Sequence, residues 1–191
     1  IDHFLDVALH ELTAARRSVV DGYYDQAIDV ITAALADGKR LHVTGIGKPH
    51  HVSAYYASLL SSLGAPSYLL DATEATHGSS GQVAPGDVVI CISYYGNVPE
   101  IMPAMETLRR NGARLIGVTG FEDSWVARHS DVHLKAYVSQ EGDYLNKPPR
   151  TSILAILLIL MGLSIAVQRE LGLDQQRYVQ WHPGGQLGQV E

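Results

Sequence analysis

Apolar residues along the chain fall into two kinds of run. From 2 to 36 they recur at helical spacing, Phe4, Leu5, Leu9 and Leu12 on one stripe and Ile28, Ile31 and Leu35 on another, with a break near Asp21-Gly22. Short runs without alternation follow: LHVTG (41–45), SYLL (67–70), DVVICIS (87–93), RLIGVTG (114–120) and DVHLKAYV (131–138). A strand covered on both faces has this character. Between them the pattern predicts helices over 50–63, 98–111 and 123–129, and a long apolar helix over 151–170. Gly64-Ala65-Pro66, Pro85-Gly86 and Asn111-Gly112 mark the turns.

Strands that alternate with helices predict an α/β fold: a three-layer sandwich with a five-stranded parallel sheet flanked by helices, joined by right-handed crossovers. One domain over 1–191 is expected, with N-terminal helices in 1–36 and the sheet core in 37–191. Ligands of such sheets sit beyond the carboxyl ends of the strands. The run ILAILLILMGLSIAV (153–167) is 15 residues long. It falls short of the ~20 that a bilayer requires. A buried helix is therefore expected, with no membrane partner.

Charge and cysteine content narrow the function classes. The formal net charge is −6, and the 14 Lys and Arg are scattered, which argues against a nucleic-acid partner. Cys91 is the only cysteine, so no internal disulfide forms, and a cytoplasmic location is expected. The helices of 2–36 and 153–170 carry more apolar surface than one small sheet covers. That predicts a symmetric homo-oligomer.

The polar residues that follow the strands are the candidates for chemistry. GIGKPHH supplies Gly45, Gly47 and Lys48; it lacks the spacing and Ser/Thr of a Walker loop and alone reads equally well as a tight turn with a solvated lysine. EATHG supplies His77, and SYYGNVPE supplies Ser93, Tyr94, Tyr95, Asn97 and Glu100. SQEGDYLNKPPRTS carries Glu141, Arg150, Thr151 and Ser152, and WHPGGQLG places His182 in a backbone restricted by proline and glycine. Each carboxylate or histidine alone also reads as a solvated or helix-capping residue. No cofactor and no functional metal are expected, because no cysteine or close HxxxH pair supports the scattered histidines.

Taken together, GIGK, EATHG, ISxxGxxxE and HPGGxLG resemble the sugar isomerase (SIS) domain family over about 25–188. Within it they are most similar to arabinose-5-phosphate isomerases, in the short form without paired CBS modules. The resemblance implies a five-stranded parallel sheet and an aldose–ketose isomerase of a phosphorylated or otherwise acidic sugar, acting through a cis-enediol. It also implies a catalytic set of Lys48, His77, Glu100, Glu141 and His182, expected to meet at one rim of the sheet. Glu141 would be the base that moves a proton between C2 and C1. His182, or else His77, would open the sugar ring and could come from a neighbouring subunit of the homotetramer that the resemblance implies, or of a dimer. Lys48 would stabilise the enediolate oxygen, and Glu100 would orient Lys48 or a hydroxyl.

The anion-binding turn departs from this family. Where a serine-rich turn is usual, the chain has Ser93-Tyr94-Tyr95-Gly96-Asn97-Val98-Pro99, and Pro49 stands after Lys48 where a serine is usual. Either Arg150 and the tyrosine hydroxyls bind an anion in a new way, or the rings fill its space and the substrate is modified. The tyrosines would alternatively pack against a partner subunit. A non-catalytic sugar-phosphate-binding or regulatory protein, and a hexulose-phosphate isomerase, remain the alternative functions.

Overall fold

The computed structural model describes residues 1–184 and 186. Two helices, α1 (Asp2–Ser18) and α2 (Asp25–Ala36), lead into β1 (Leu41–Gly45), α3 (Lys48–Ser62) and β2 (Ser67–Asp71). A short α4 (Ala72–Ala75) and a 3₁₀ turn (Ser79–Gln82) precede β3 (Val88–Ile92). Then come α5 (Ile101–Arg110), β4 (Arg114–Thr119), α6 (Trp125–Arg128), β5 (Val132–Lys135), α7 (Thr151–Glu170) and α8 (Gln175–Gln180). The five strands are parallel, in the order β2-β1-β3-β4-β5. The order reverses between β1 and β3, which makes the carboxyl ends of those two strands the crevice for a ligand.

Strand alternation divides the core in two. Leu41, Val43, Ile90, Ile92, Ile116 and Val118 face α2, α3 and α7, while Leu70, Val89, Cys91 and Leu115 face α4, α5 and α6. Cys91 is fully buried, and burial pushes its thiol up to about 12. The predicted sandwich is thus the observed one. Helix α7 is 20 residues long, over the span 151–170 expected from the sequence, and is apolar enough in length and composition to span a membrane. Its packing against α1, α2 and α3 gives it a core role, since Ile156, Ile159, Leu160 and Leu163 are all fully buried.

Three details differ from expectation. Helix α5 starts at Ile101 rather than 98, since residues 97–100 form a turn tied to α6. Strand β5 ends at Lys135, and residues beyond it leave the sheet. The six-residue α8, capped by Asp174, is not visible as a separate helix in the apolar pattern.

On the α5 side, two polar residues are buried together near the amino end of the sheet. His42 and Asp87 are each 1% exposed, and His42 Nε2 lies 3.2 Å from Asp87 Oδ2. Asp87 also accepts from the amides of Arg40 and Ala84, while His42 Nδ1 has no partner. Burial lowers the pKa of His42 below its ordinary 6.5, against the opposing pull of Asp87. Burial lowers that of His133 in the same way. Below about pH 6.5 the unfolded chain takes up protons that the fold resists, so this part of the stability is complete above that pH and declines as pH falls toward the folded values. The urea midpoint is expected to drop between about pH 7 and pH 5, with a shallower drop in His42→Asn. A midpoint flat across that range in the unaltered protein contradicts the assignment.

Candidate active site

A cavity of about 230 Å³ opens at the carboxyl ends of β1 and β3, lined by the turn after β1, the turn after β3, and the loop between β5 and α7. Its wall carries Gly47, Lys48, Ser93, Tyr94, Tyr95, Glu141 and Lys147, with apolar area from Ile46, Pro49, Val98, Ile101, Pro149 and Ile153. It occupies the crevice that the strand order prescribes.

Glu141 is held by the start of α7. It is 6% exposed, and its Oε2 accepts from the amides of Arg150 (2.7 Å) and Ser152 (3.1 Å). These are among the amides that a helix leaves without internal acceptors. A carboxylate there also meets the positive end of the helix dipole. The Glu141 carbonyl accepts from Thr151 Oγ1, and its amide donates to Asn146 Oδ1 at 2.6 Å. Asn146 adopts a φ of 48°, a conformation that asparagine tolerates better than most residues. Among the described residues Oε1 of Glu141 accepts no hydrogen bond, which leaves one oxygen for the cavity.

The tyrosines divide their roles. Tyr94 Oη donates to the Val138 carbonyl at 2.7 Å and accepts from the Val138 amide at 3.3 Å. Its ring lies against Gly120, where an added Cβ would approach the ring to 2.8 Å. Burial pushes the Tyr94 hydroxyl up to about 12, so it keeps its proton. The hydroxyl is therefore not free to hold an anion, contrary to one of the two readings. Tyr95 is 60% exposed and stacks on Phe121 at an interplanar angle of 11°.

The rest of this turn is bound to α6. The Gly96 carbonyl accepts from Val126 N, and Asn97 Oδ1 accepts from Trp125 N at 2.8 Å. Gly96, at φ 64°, has no room for a Cβ beside Ser124. Among the described residues, the amides from Tyr94 to Val98 donate to no acceptor in the fold.

Other expected site residues lie elsewhere. The space beside Gly45 is filled by Pro49 and the Ile92 carbonyl, so this glycine accommodates the fold. The Arg150 guanidinium pairs with Asp143, which removes it as an anion fork. Thr151 and Ser152 are fully buried behind Glu141, and Ser152 Oγ has no partner. His77 and Glu100 are exposed and do not line the cavity.

His182 lies at the opposite rim. Helix α7 carries the chain back along the sheet, and Trp181 packs on Gly64, which precedes the amino end of β2. His182 stacks on Tyr178, and its Nδ1 donates to the Tyr178 carbonyl at 2.7 Å, so Nε2 is the acceptor nitrogen. Within one chain, only Lys48 and Glu141 of the five expected catalytic residues share the cavity. Gly185, Leu187 and Gly188 of the HPGGxLG stretch lie outside the described residues. Lys147, which the sequence places in the polar loop after the fifth strand beside Glu141 and Arg150 but without an assigned role, is the second cation of the cavity wall; like Lys48, it forms no ion pair among the described residues. Its only signal is a lysine between Asn and two prolines in a polar loop.

The SIS domain pattern matches residues 34–166. The chain belongs to the SIS domain family. It is similar to the arabinose 5-phosphate isomerase KdsD of Pseudomonas aeruginosa, with 35% identity over 86% of this chain and 50% of that protein. With KdsD of Escherichia coli K12 it shares 38% identity over 76% of this chain and 44% of that protein. It spans about half the length of these curated relatives. A protein of E. coli CFT073, solved in complex with a sugar-phosphate ligand, superposes with a TM-score of 0.82 at 27% identity, covering 95% of this chain and 96% of that one.

Because Glu141 caps α7, its loss is a stability change as well as a chemical one. Glu141→Ala is expected to lower the unfolding free energy by about 1–2 kcal/mol, the usual range for losing a helix cap. Glu141→Gln, which keeps an acceptor oxygen, should lose clearly less. Urea unfolding of the two variants beside the unaltered protein reads the difference.

Proposed function

We propose that this SIS domain is an aldose–ketose isomerase of a sugar phosphate or a similarly acidic sugar, of the arabinose-5-phosphate/ribulose-5-phosphate type. The observation that carries the reading is Glu141, a buried carboxylate with one oxygen anchored on α7 and the other free, in a cavity whose wall also carries Lys48. Similarity to KdsD supports the substrate class.

In this reading Glu141 removes the C2 proton of the open-chain aldose, and the carbonyl oxygen at C1 gains a proton to form a cis-enediol. The hydroxyl at C2 then loses its proton as Glu141 returns one to C1, which completes the ketose with no net loss of atoms. Lys48 stabilises the charge on the enediolate oxygen. Ring opening needs a further acid–base group, which we assign to His182 or His77 of a neighbouring copy in a homotetramer or dimer. The exposure of His77 supports that assignment, as does the Nε2 of His182, which has no hydrogen-bond partner among the described residues. Glu100 would act from its exposed place at the start of α5.

The anion rests on the unengaged amides of 94–98, Ser93 Oγ and the two lysines. With Tyr94 committed to Val138, and Val98 and Pro99 in place of small residues, a substrate different from the usual pentose phosphate follows. A cytoplasmic location accords with a phosphorylated metabolite. Binding without turnover, as in a sensor, is the second reading; it is favoured by the separation of His182 from Glu141 within one chain.

The test is NMR detection of deuterium entering at C2 in D₂O, with pentose, hexose and sulfonated sugar phosphates. Exchange with at least one sugar is expected, reduced by about 100-fold or more in Glu141→Gln. Binding with no exchange on any member identifies the sensor, and near-normal exchange in Glu141→Gln removes Glu141 as the base.

A further inference from the structure

Helix α1 lies outside the matched family segment of 34–166. It nonetheless reaches the loop that carries Glu141. Its inward stripe is Phe4, Val7, Ala8, Glu11 and Ala15, with a carboxylate in an otherwise apolar row. Glu11 is only 4% exposed. Oε2 of Glu11 accepts from the Ser139 amide at 2.8 Å, and Oε1 accepts from the Ser139 hydroxyl. Three residues further on, Gly142 has φ 85° and lies so close that an added Cβ would meet Phe4 and Val7 at 3.1 Å. Leu12 and Ala15 of α1 pack with Val138 and Ala155.

Glu141 therefore sits between two residues, 139 and 142, that both touch α1, while its own carboxylate touches α7. Helices α1 and α7 pack along one another. A carboxylate that only solvated a helix face would be exposed and unbonded; this one is desolvated and binds both donors of a single residue. Burying it is costly unless those bonds form.

We infer that Glu11 is a positioning residue for Glu141: through Ser139 it fixes the loop so that the free Oε1 of Glu141 faces the cavity. Docking of α1 is thereby coupled to the competence of the site. The inference rests on the isomerase reading for its kinetic part and on the hydrogen bonds to Ser139 for its structural part.

Two variants test it. Glu11→Gln removes the charge and keeps one acceptor, and Glu11→Leu completes the apolar stripe and removes both acceptors; circular dichroism checks that each variant folds. In both, amide hydrogen exchange over 138–147 should accelerate about tenfold or more, with the strands unchanged. With a sugar that the unaltered protein turns over, kcat should fall about 10- to 100-fold while KM stays within about threefold, as expected for a displaced reacting group. Ser139→Ala should show a smaller effect in the same direction. Unchanged exchange in 138–147 overturns the proposal, as does faster exchange with kcat unaltered. If the unaltered protein turns over no sugar, the isomerase reading fails by itself, and the exchange measurement still decides whether Glu11 holds the loop.

Discussion

The interaction on which the site depends is the contact between the Glu141 carboxylate and the first amides of α7. A helix start buried in protein must find acceptors for its free N–H groups. Here the acceptor is supplied nine residues earlier, from the far end of a loop rather than from the Arg150 position. That arrangement fixes where α7 begins, gives the loop its compact shape, and brings Lys147 and Pro149 to the cavity. The same bonds prevent the carboxylate from rotating into solvent. In the base role proposed for Glu141, such restraint would be an advantage, since geometry governs the efficiency of proton transfer.

If the turn after β3 binds an anion as proposed, it does so with one serine hydroxyl, that of Ser93, and with its backbone donors. Tyr94 bridges β3, the end of β4 at Gly120, and the segment leaving β5. It acts as a cross-brace under the turn. The carbonyl and side-chain oxygens on one side of the turn are drawn toward α6, at Trp125 and Val126. Among the described residues the amides of 94–98 donate to no acceptor. Under the proposed function, recognition would depend more on main-chain N–H groups and on the two lysines than on serine hydroxyls.

The sheet was legible in the sequence because strands covered on both faces are continuous apolar runs, and VVICI or RLIGVT has few other readings. The positions of Lys48, Ser93 and Glu141 at the rim followed from that topology alone. Three things were not legible. Asn97 looked like a helix start, but its side chain caps α6, a contact between residues 28 apart that no local pattern reveals. His182 comes after α7 and α8, and although the span of α7 was legible, its path back along the sheet was not; the distance from Glu141 is set by that path and not by the HPGG motif. Arg150 appeared free beside the site; Asp143, seven residues away, takes its charge. Each miss involves a polar side chain whose partner is chosen by the tertiary fold.

The depth of Cys91 within β3 has a practical consequence. Its sulfur keeps its proton and is screened by strands on either side, so thiol-directed dyes and spin labels will pass it by. Cysteines introduced at the surface would therefore be the sole attachment points, without prior removal of a native one. Pairs placed on the mouth of the crevice and on the last helix would give a spectroscopic ruler from one rim of the sheet to the other.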